Sequence, residues 1–117
     1  MWDVVCDDYM NANLIFPTQQ RDVYHIIKIC RQDPNIKKVV IFGSSVTSAC
    51  NPWSDIDIYL EMDEEKLMPV FGLKEVATDM WNNFTVDDDL YREIKEKGVI
   101  VYERHAVKDG MDTVPLS

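Results

Sequence analysis

Lys38-Val39-Val40-Ile41-Phe42-Gly43-Ser44-Ser45 and, after a polar spacer, Trp53-Ser54-Asp55-Ile56-Asp57-Ile58-Tyr59-Leu60-Glu61 decide how this chain folds. The first stretch is a short, β-branched apolar run closed by glycine, the pattern of a buried strand over residues 38–43. The second alternates: Ile56, Ile58 and Leu60 share one face, while Asp55, Asp57, Tyr59 and Glu61 share the other. Period-two alternation predicts a strand over residues 55–61 with one buried face.

Working towards the N-terminus, Val23, Ile26, Ile27 and Cys30 recur at i, i+3, i+4 and i+7, which predicts an amphipathic helix over 19–31. Pro17-Thr18 reads as its start, with Thr18 as N-cap. Lys28 and Arg31 suit its last turn, where cations complement the helix dipole, and Asp33-Pro34-Asn35 ends it. Asn11 to Phe16 is expected to form a short strand or a lead-in.

Towards the C-terminus, Pro69 and Gly72 bar a long helix from residues 62–73, leaving at most a turn capped by Asp63, with Glu64 and Glu65 as solvated helix-start acids. Residues 75–81 predict a third strand, with Val76, Thr78 and Met80 opposite Ala77, Asp79 and Trp81. Asp87-Asp88-Asp89 then caps a short helix whose apolar pair is Leu90 and Ile94, with Gly98 at C′. Residues 99–102 predict a last strand. Residues 104–117 are polar, aperiodic and expected to be a mobile tail. The fold class is α/β (α+β): a small mixed sheet flanked by two helices.

With 117 residues, 46% of them hydrophobic, one core is expected and a second domain is not. The net charge is −9 and no basic stripe interrupts it, so direct nucleic-acid binding, which draws on clustered Lys and Arg, is not expected. No apolar run reaches membrane-spanning length, and Met1-Trp2-Asp3 lacks the start of a secretory signal. Cys6, Cys30 and Cys50 fit neither a disulfide framework nor a zinc site, which points to a reducing cytoplasm. Cys30 reads as core and Cys50 as a surface thiol.

The chemistry concentrates between residues 43 and 79. Asp55 and Asp57, at i and i+2 of a strand, place two carboxylates on one face about 6–7 Å apart. Carboxylates so close repel unless a cation neutralises them, and hard divalent cations favour such oxygen ligands. Glycine lets backbone approach a phosphate closely, and the N–H groups and hydroxyls after it can bind phosphate oxygens.

The ordered combination of Val39 to Ser45 and Trp53 to Ile58 resembles the signature of the minimal nucleotidyltransferases of the DNA polymerase β superfamily. The likeness spans about residues 18–103 and is sharpest at Gly43-Ser44 and Asp55-Ile56-Asp57. It implies a polymerase β-like domain over 17–103, between a lead-in of 1–16 and a tail of 104–117. It implies that Asp55, Asp57 and Asp79 hold metal and carry catalysis, Asp79 being the carboxylate of the next strand. Gly43, Ser44, Ser45 and Ser54 would bind the nucleotide. Expected cofactors are Mg2+, with Mn2+ as alternative, and an NTP, ATP foremost.

The implied reaction moves NMP, AMP first among them, onto a hydroxyl acceptor, such as a partner protein of the HEPN-type toxin class. A homo-oligomer is compatible with this, and no membrane partner is expected. One departure stands out: related chains often carry arginines just after Gly-Ser, whereas Ser45-Val46-Thr47-Ser48-Ala49-Cys50 has none. Arginine neutralises phosphate bidentately. The alternative is therefore a weakly active or inactive antitoxin-like binding module of the same fold.

Other residues receive plainer readings. His25 and His105 lack visible partners, and Trp53 is expected to pack on its own domain. Tyr59 and Glu61 share the aspartate face, either orienting the site or simply exposed.

Overall fold

The computed structural model describes residues 9–47, 55–73 and 77–104. Four strands, β1 (Ile36–Phe42), β2 (Ile56–Met62), β3 (Thr78–Asn82) and β4 (Val99–Glu103), form one mixed sheet in the order β3-β2-β1-β4. β1 runs antiparallel to both β2 and β4, while β2 and β3 are parallel. Two helices, α1 (Gln20–Arg31) and α2 (Asp88–Lys97), complete the fold.

Each helix covers one face. Val23, Ile26, Ile27 and Cys30 of α1 are fully buried against Val39, Ile41, Ile56, Ile58 and Leu60, so the helical stripe and the strand alternation meet in one core. Cys30 is sealed there, and burial pushes its thiol up to about 12, leaving it inert at neutral pH. The second core is smaller. Val40, Phe42, Tyr59 and Ile94 are buried together, with Trp81, Val86, Leu90 and Ile100 around them.

This second core corrects the expectation of a single buried face for β2. Tyr59 is only 2% exposed, lying tilted against Tyr91 of α2 with ring centroids 5.9 Å apart. The aspartates therefore share their sheet face with a helix.

Several local expectations are also corrected. Residues 11–16 form no strand: Ala12–Leu14 is a 3-10 turn, and Ile15 behind it is fully buried. Thr18 does not cap α1; it lies inside a 3-10 turn, Pro17–Gln19, that feeds the helix directly, and Gln19 at the N-cap makes no side-chain capping bond. No helical turn follows Asp63, so Glu64 and Glu65 start no helix. The Asp63 carboxylate instead accepts from Arg104 at 3.0 Å, which holds it below the usual carboxylate range.

Arg104 also donates to the Pro34 carbonyl, and its backbone N–H bonds to Lys37 O at 2.8 Å, so the chain is anchored at the residue where the tail was expected to begin. Residues 105–117, and with them His105, lie outside the described residues, as do residues 1–8 of the lead-in.

The expected cap on α2 is present: Asp87 Oδ1 accepts from the Leu90 N–H at 2.8 Å. Gly98 follows that helix in extended conformation (φ −72°), not in the left-handed C′ geometry. Space is its reason. A Cβ there would lie 2.5 Å from both Ile94 O and Val40 Cγ1. Gly98→Ala is accordingly expected to cost about 1–3 kcal/mol by overpacking the α2–β1 contact; urea unfolding at pH 7 measures it.

Candidate active site

The site forms at one end of the sheet, where β1 ends and β2 and β3 begin. Register places Phe42 opposite Asp57 and Asp57 opposite Asp79, so three strands contribute neighbours to one row. Neighbouring strands lie about 4.8 Å apart, which brings the Asp57 and Asp79 backbones within reach of a shared ligand. Asp55 sits exposed just before β2, two residues from Asp57 and, in extended chain, on its side of the sheet.

Gly43 follows β1 with φ +73°, a conformation that favours glycine. A Cβ built there would fall well inside van der Waals contact with Asp57 Oδ2 and 3.2 Å from Asp57 Cγ. The Asp57 carboxylate thus lies directly on the Gly43 backbone. Beyond it the chain turns through a 3-10 segment, Gly43–Val46, closed by the Thr47 N–H bonding to Ser44 O at 3.0 Å.

The two serines of this turn part company. Ser44 is half-buried, whereas Ser45 is fully buried and its hydroxyl donates to Gln19 Oε1. The Ser45 hydroxyl, expected to meet a nucleotide, looks into the protein. Ser54 and Trp53 lie outside the described residues, as does Cys50.

Burial first, then the charges of Asp79, Asp55 and Glu93, pushes the Asp57 carboxyl up to about 6. Glu93 is the contributor that the sequence reading missed. It lies on α2 three residues after Leu90, so the apolar pair Leu90 and Ile94 already carried the signal for which helix side meets the sheet. Ion pairs between described residues join Lys37 and Arg104 to Asp63, Lys38 to Glu103, and Arg92 to Asp89, and none of these reaches Asp55, Asp57 or Asp79.

An Asp57 carboxylate opposed by the charges of Asp79, Asp55 and Glu93, with no ion pair to it among the described residues, fits a divalent ion. Among the described residues, no three His, Cys, Asp or Glu side chains are grouped so that they could together hold a metal ion. A Mg2+ site needs no such group, because that ion commonly takes one or two carboxylates and fills its shell with water and substrate phosphate. Asp57, with Asp55 or Asp79, would hold it.

The pH consequence follows from the sign of the shift. A proton competes with the cation for Asp57, so stabilisation by Mg2+ with a polyphosphate should be full at pH 7–8 and fade as pH falls through about 6. Thermal unfolding with and without the ion, across that range, checks it.

The remaining polar groups take other work. The Tyr59 hydroxyl points along β2 to Glu61 Oε2, 3.5 Å away, and burial raises its pKa, so that pair turns from Asp57. A cleft of about 210 Å3 beside it, lined by Lys38, Tyr59, Glu61, Tyr91 and Lys95 among others, includes none of the aspartates. His25 does have a partner: its Nε2 lies 3.0 Å from Phe71 O, and it rides on α1, across the sheet from Asp57.

A family model described as "Polymerase beta, Nucleotidyltransferase" matches residues 24–107, most of the chain, from α1 past the end of β4. No curated protein matches the chain.

Proposed function

The chain belongs to the polymerase β-type nucleotidyltransferases, whose general reaction is transfer of a nucleoside monophosphate, and within that family we propose that it moves AMP from ATP to a hydroxyl on a partner protein. The observation that carries this reading is the row Phe42, Asp57, Asp79 with the Gly43 backbone pressed on the Asp57 carboxylate. It supports reading the turn as a phosphate binder and the acids as metal ligands, because the two meet at one point.

In this reading Asp55 and Asp57 hold the ion and Asp79 takes the proton from the acceptor hydroxyl. The acceptor oxygen attacks the α-phosphorus, the bond from that phosphorus to the α,β-bridging oxygen breaks, and pyrophosphate leaves. Mg2+ held by these carboxylates would supply charge neutralisation of the triphosphate and Lewis-acid polarisation of the attacked phosphorus. The N–H groups of the turn and the Ser44 hydroxyl bind phosphate oxygens, leaving positioning and charge stabilisation as the protein's main contributions.

The acceptor is proposed to arrive on another molecule, with a HEPN-type toxin as the leading candidate and the cytoplasm as the setting. A second reading, a non-catalytic binding module, is favoured by one observation: residues 43–50 contain no arginine or lysine to meet a triphosphate.

Incubation with α-labelled ATP, Mg2+ and the candidate partner separates the two. Label on the partner, at a rate lowered when other NTPs replace ATP, is the result expected. Tight complex formation with no label from any NTP would establish the binding module instead.

A further inference from the structure

The turn that meets the phosphates is braced from beneath by the entrance to α1. Two bonds tie the segments: the Phe16 N–H donates to Ser45 O at 2.9 Å, and the Ser45 hydroxyl donates to Gln19 Oε1. Both partners of the second bond are sealed, Gln19 at 1% exposure and Ser45 at 0%. The brace is itself held. Gln20 Nε2 donates to Ile15 O at 3.0 Å, and the Tyr9 hydroxyl donates to Gln20 O at 2.7 Å.

A polar side chain at 1% exposure is costly to keep in a core, and apolar residues fill such positions more cheaply. Gln19 sits where its carbonyl meets Ser45, the one fully buried residue of the turn. That bond fixes the rotation of the short segment Gly43–Val46, and rotation decides where its N–H groups point. The other end of the segment is fixed by the Gly43–Asp57 contact. The turn is therefore clamped at both ends, by the acid in front and by Gln19 behind.

We infer that Gln19 is a positioning residue for nucleotide binding: it never touches the nucleotide, and it aims the Gly43-Ser44 turn at the triphosphate by holding Ser45. The inference rests on the reading of this turn as the triphosphate site. It replaces the expected direct role of the Ser45 hydroxyl with an indirect one.

The test uses the full chain and inorganic tripolyphosphate with Mg2+ as probe, which removes any dependence on base or acceptor. The variants are Ser45→Ala and the pair Gln19→Met with Ser45→Ala. The single change leaves a buried carbonyl without its donor and should lower Tm; replacing both partners by apolar groups of similar shape should restore most of it. Tripolyphosphate affinity should behave differently, falling about tenfold in the pair even though its Tm returns to near the parent value. Mn2+ binding without polyphosphate should stay within twofold in both variants, because the aspartates are untouched.

An affinity that recovers along with Tm would overturn the inference and leave the bond a purely structural one. Unchanged affinity in Ser45→Ala would overturn it too, and that variant suffices if the pair fails to fold. If the parent chain binds Mn2+ but no tripolyphosphate, the nucleotide reading itself fails and takes this inference with it.

Discussion

Gly43→Ala should lose nucleotide transfer by at least a thousandfold while the chain still folds. Two costs fall on one methyl group. The backbone at φ +73° disfavours any L-residue by about 1–2 kcal/mol. The new Cβ also meets Asp57 Oδ2 far inside contact distance and Cγ at 3.2 Å, so the carboxylate must rotate off the turn.

Together these should lower unfolding free energy by about 2–4 kcal/mol, within reach of urea titration. The functional loss is larger because the displaced group is the one that would hold the ion, and a thousandfold corresponds to about 4 kcal/mol of transition-state stabilisation. Gly72→Ala is the internal control. Gly72 has φ +65° but nothing within 4 Å of its would-be Cβ, so it carries the backbone cost alone and should leave transfer intact.

Asp57→Asn should separate stability from activity in opposite directions. Transfer should fall at least a thousandfold, since the variant loses the charge that would bind the ion. Stability of the metal-free chain at pH 7 should rise instead. The folded carboxyl titrates near 6 against an ordinary value of 3.8, so above pH 6 its ionised form is penalised in the fold relative to the unfolded chain.

That penalty is absent below about pH 3, where both states are protonated, and grows as pH rises from 3 to 6. Solvent screens a half-buried carboxyl, so the gain for the variant is about 1 kcal/mol at pH 7. It should vanish by about pH 3. Paired urea titrations at the two pH values measure it, and a variant less stable at pH 7 would contradict the electrostatic description of the site.

Much of the fold was legible because local pattern and tertiary environment agree. Ile56, Ile58 and Leu60 alternate because α1 covers their side, and Val23, Ile26, Ile27 and Cys30 recur with helical period for the same reason. The second face was less legible. α2 brings only Leu90 and Ile94 as an apolar pair, and Tyr59 carries a hydroxyl, so nothing local announced that the two meet.

Partners distant in sequence were invisible in principle. The hydroxyl of Ser45 looks available until Gln19, from before α1, is seen beneath it. Asp79 could be placed on a strand, but only the β2–β3 register shows it beside Asp57. Thr18 met every local criterion for a cap, yet Pro17 starts a 3-10 turn one residue earlier and draws it in. Gly98 was legible as a helix end but not as a packing necessity, since Val40 lies far away in the chain.

The most direct test of the central claim, that Gly43, Asp57 and Asp79 form one metal–phosphate site, is paramagnetic broadening of backbone amide signals by Mn2+ in the presence of ATP. Broadening centred on residues 43–45, 55–57 and 78–80, and abolished by Asp57→Asn, is the expected result. Broadening centred instead on Asp63 and Glu64, or unchanged by that substitution, would contradict it.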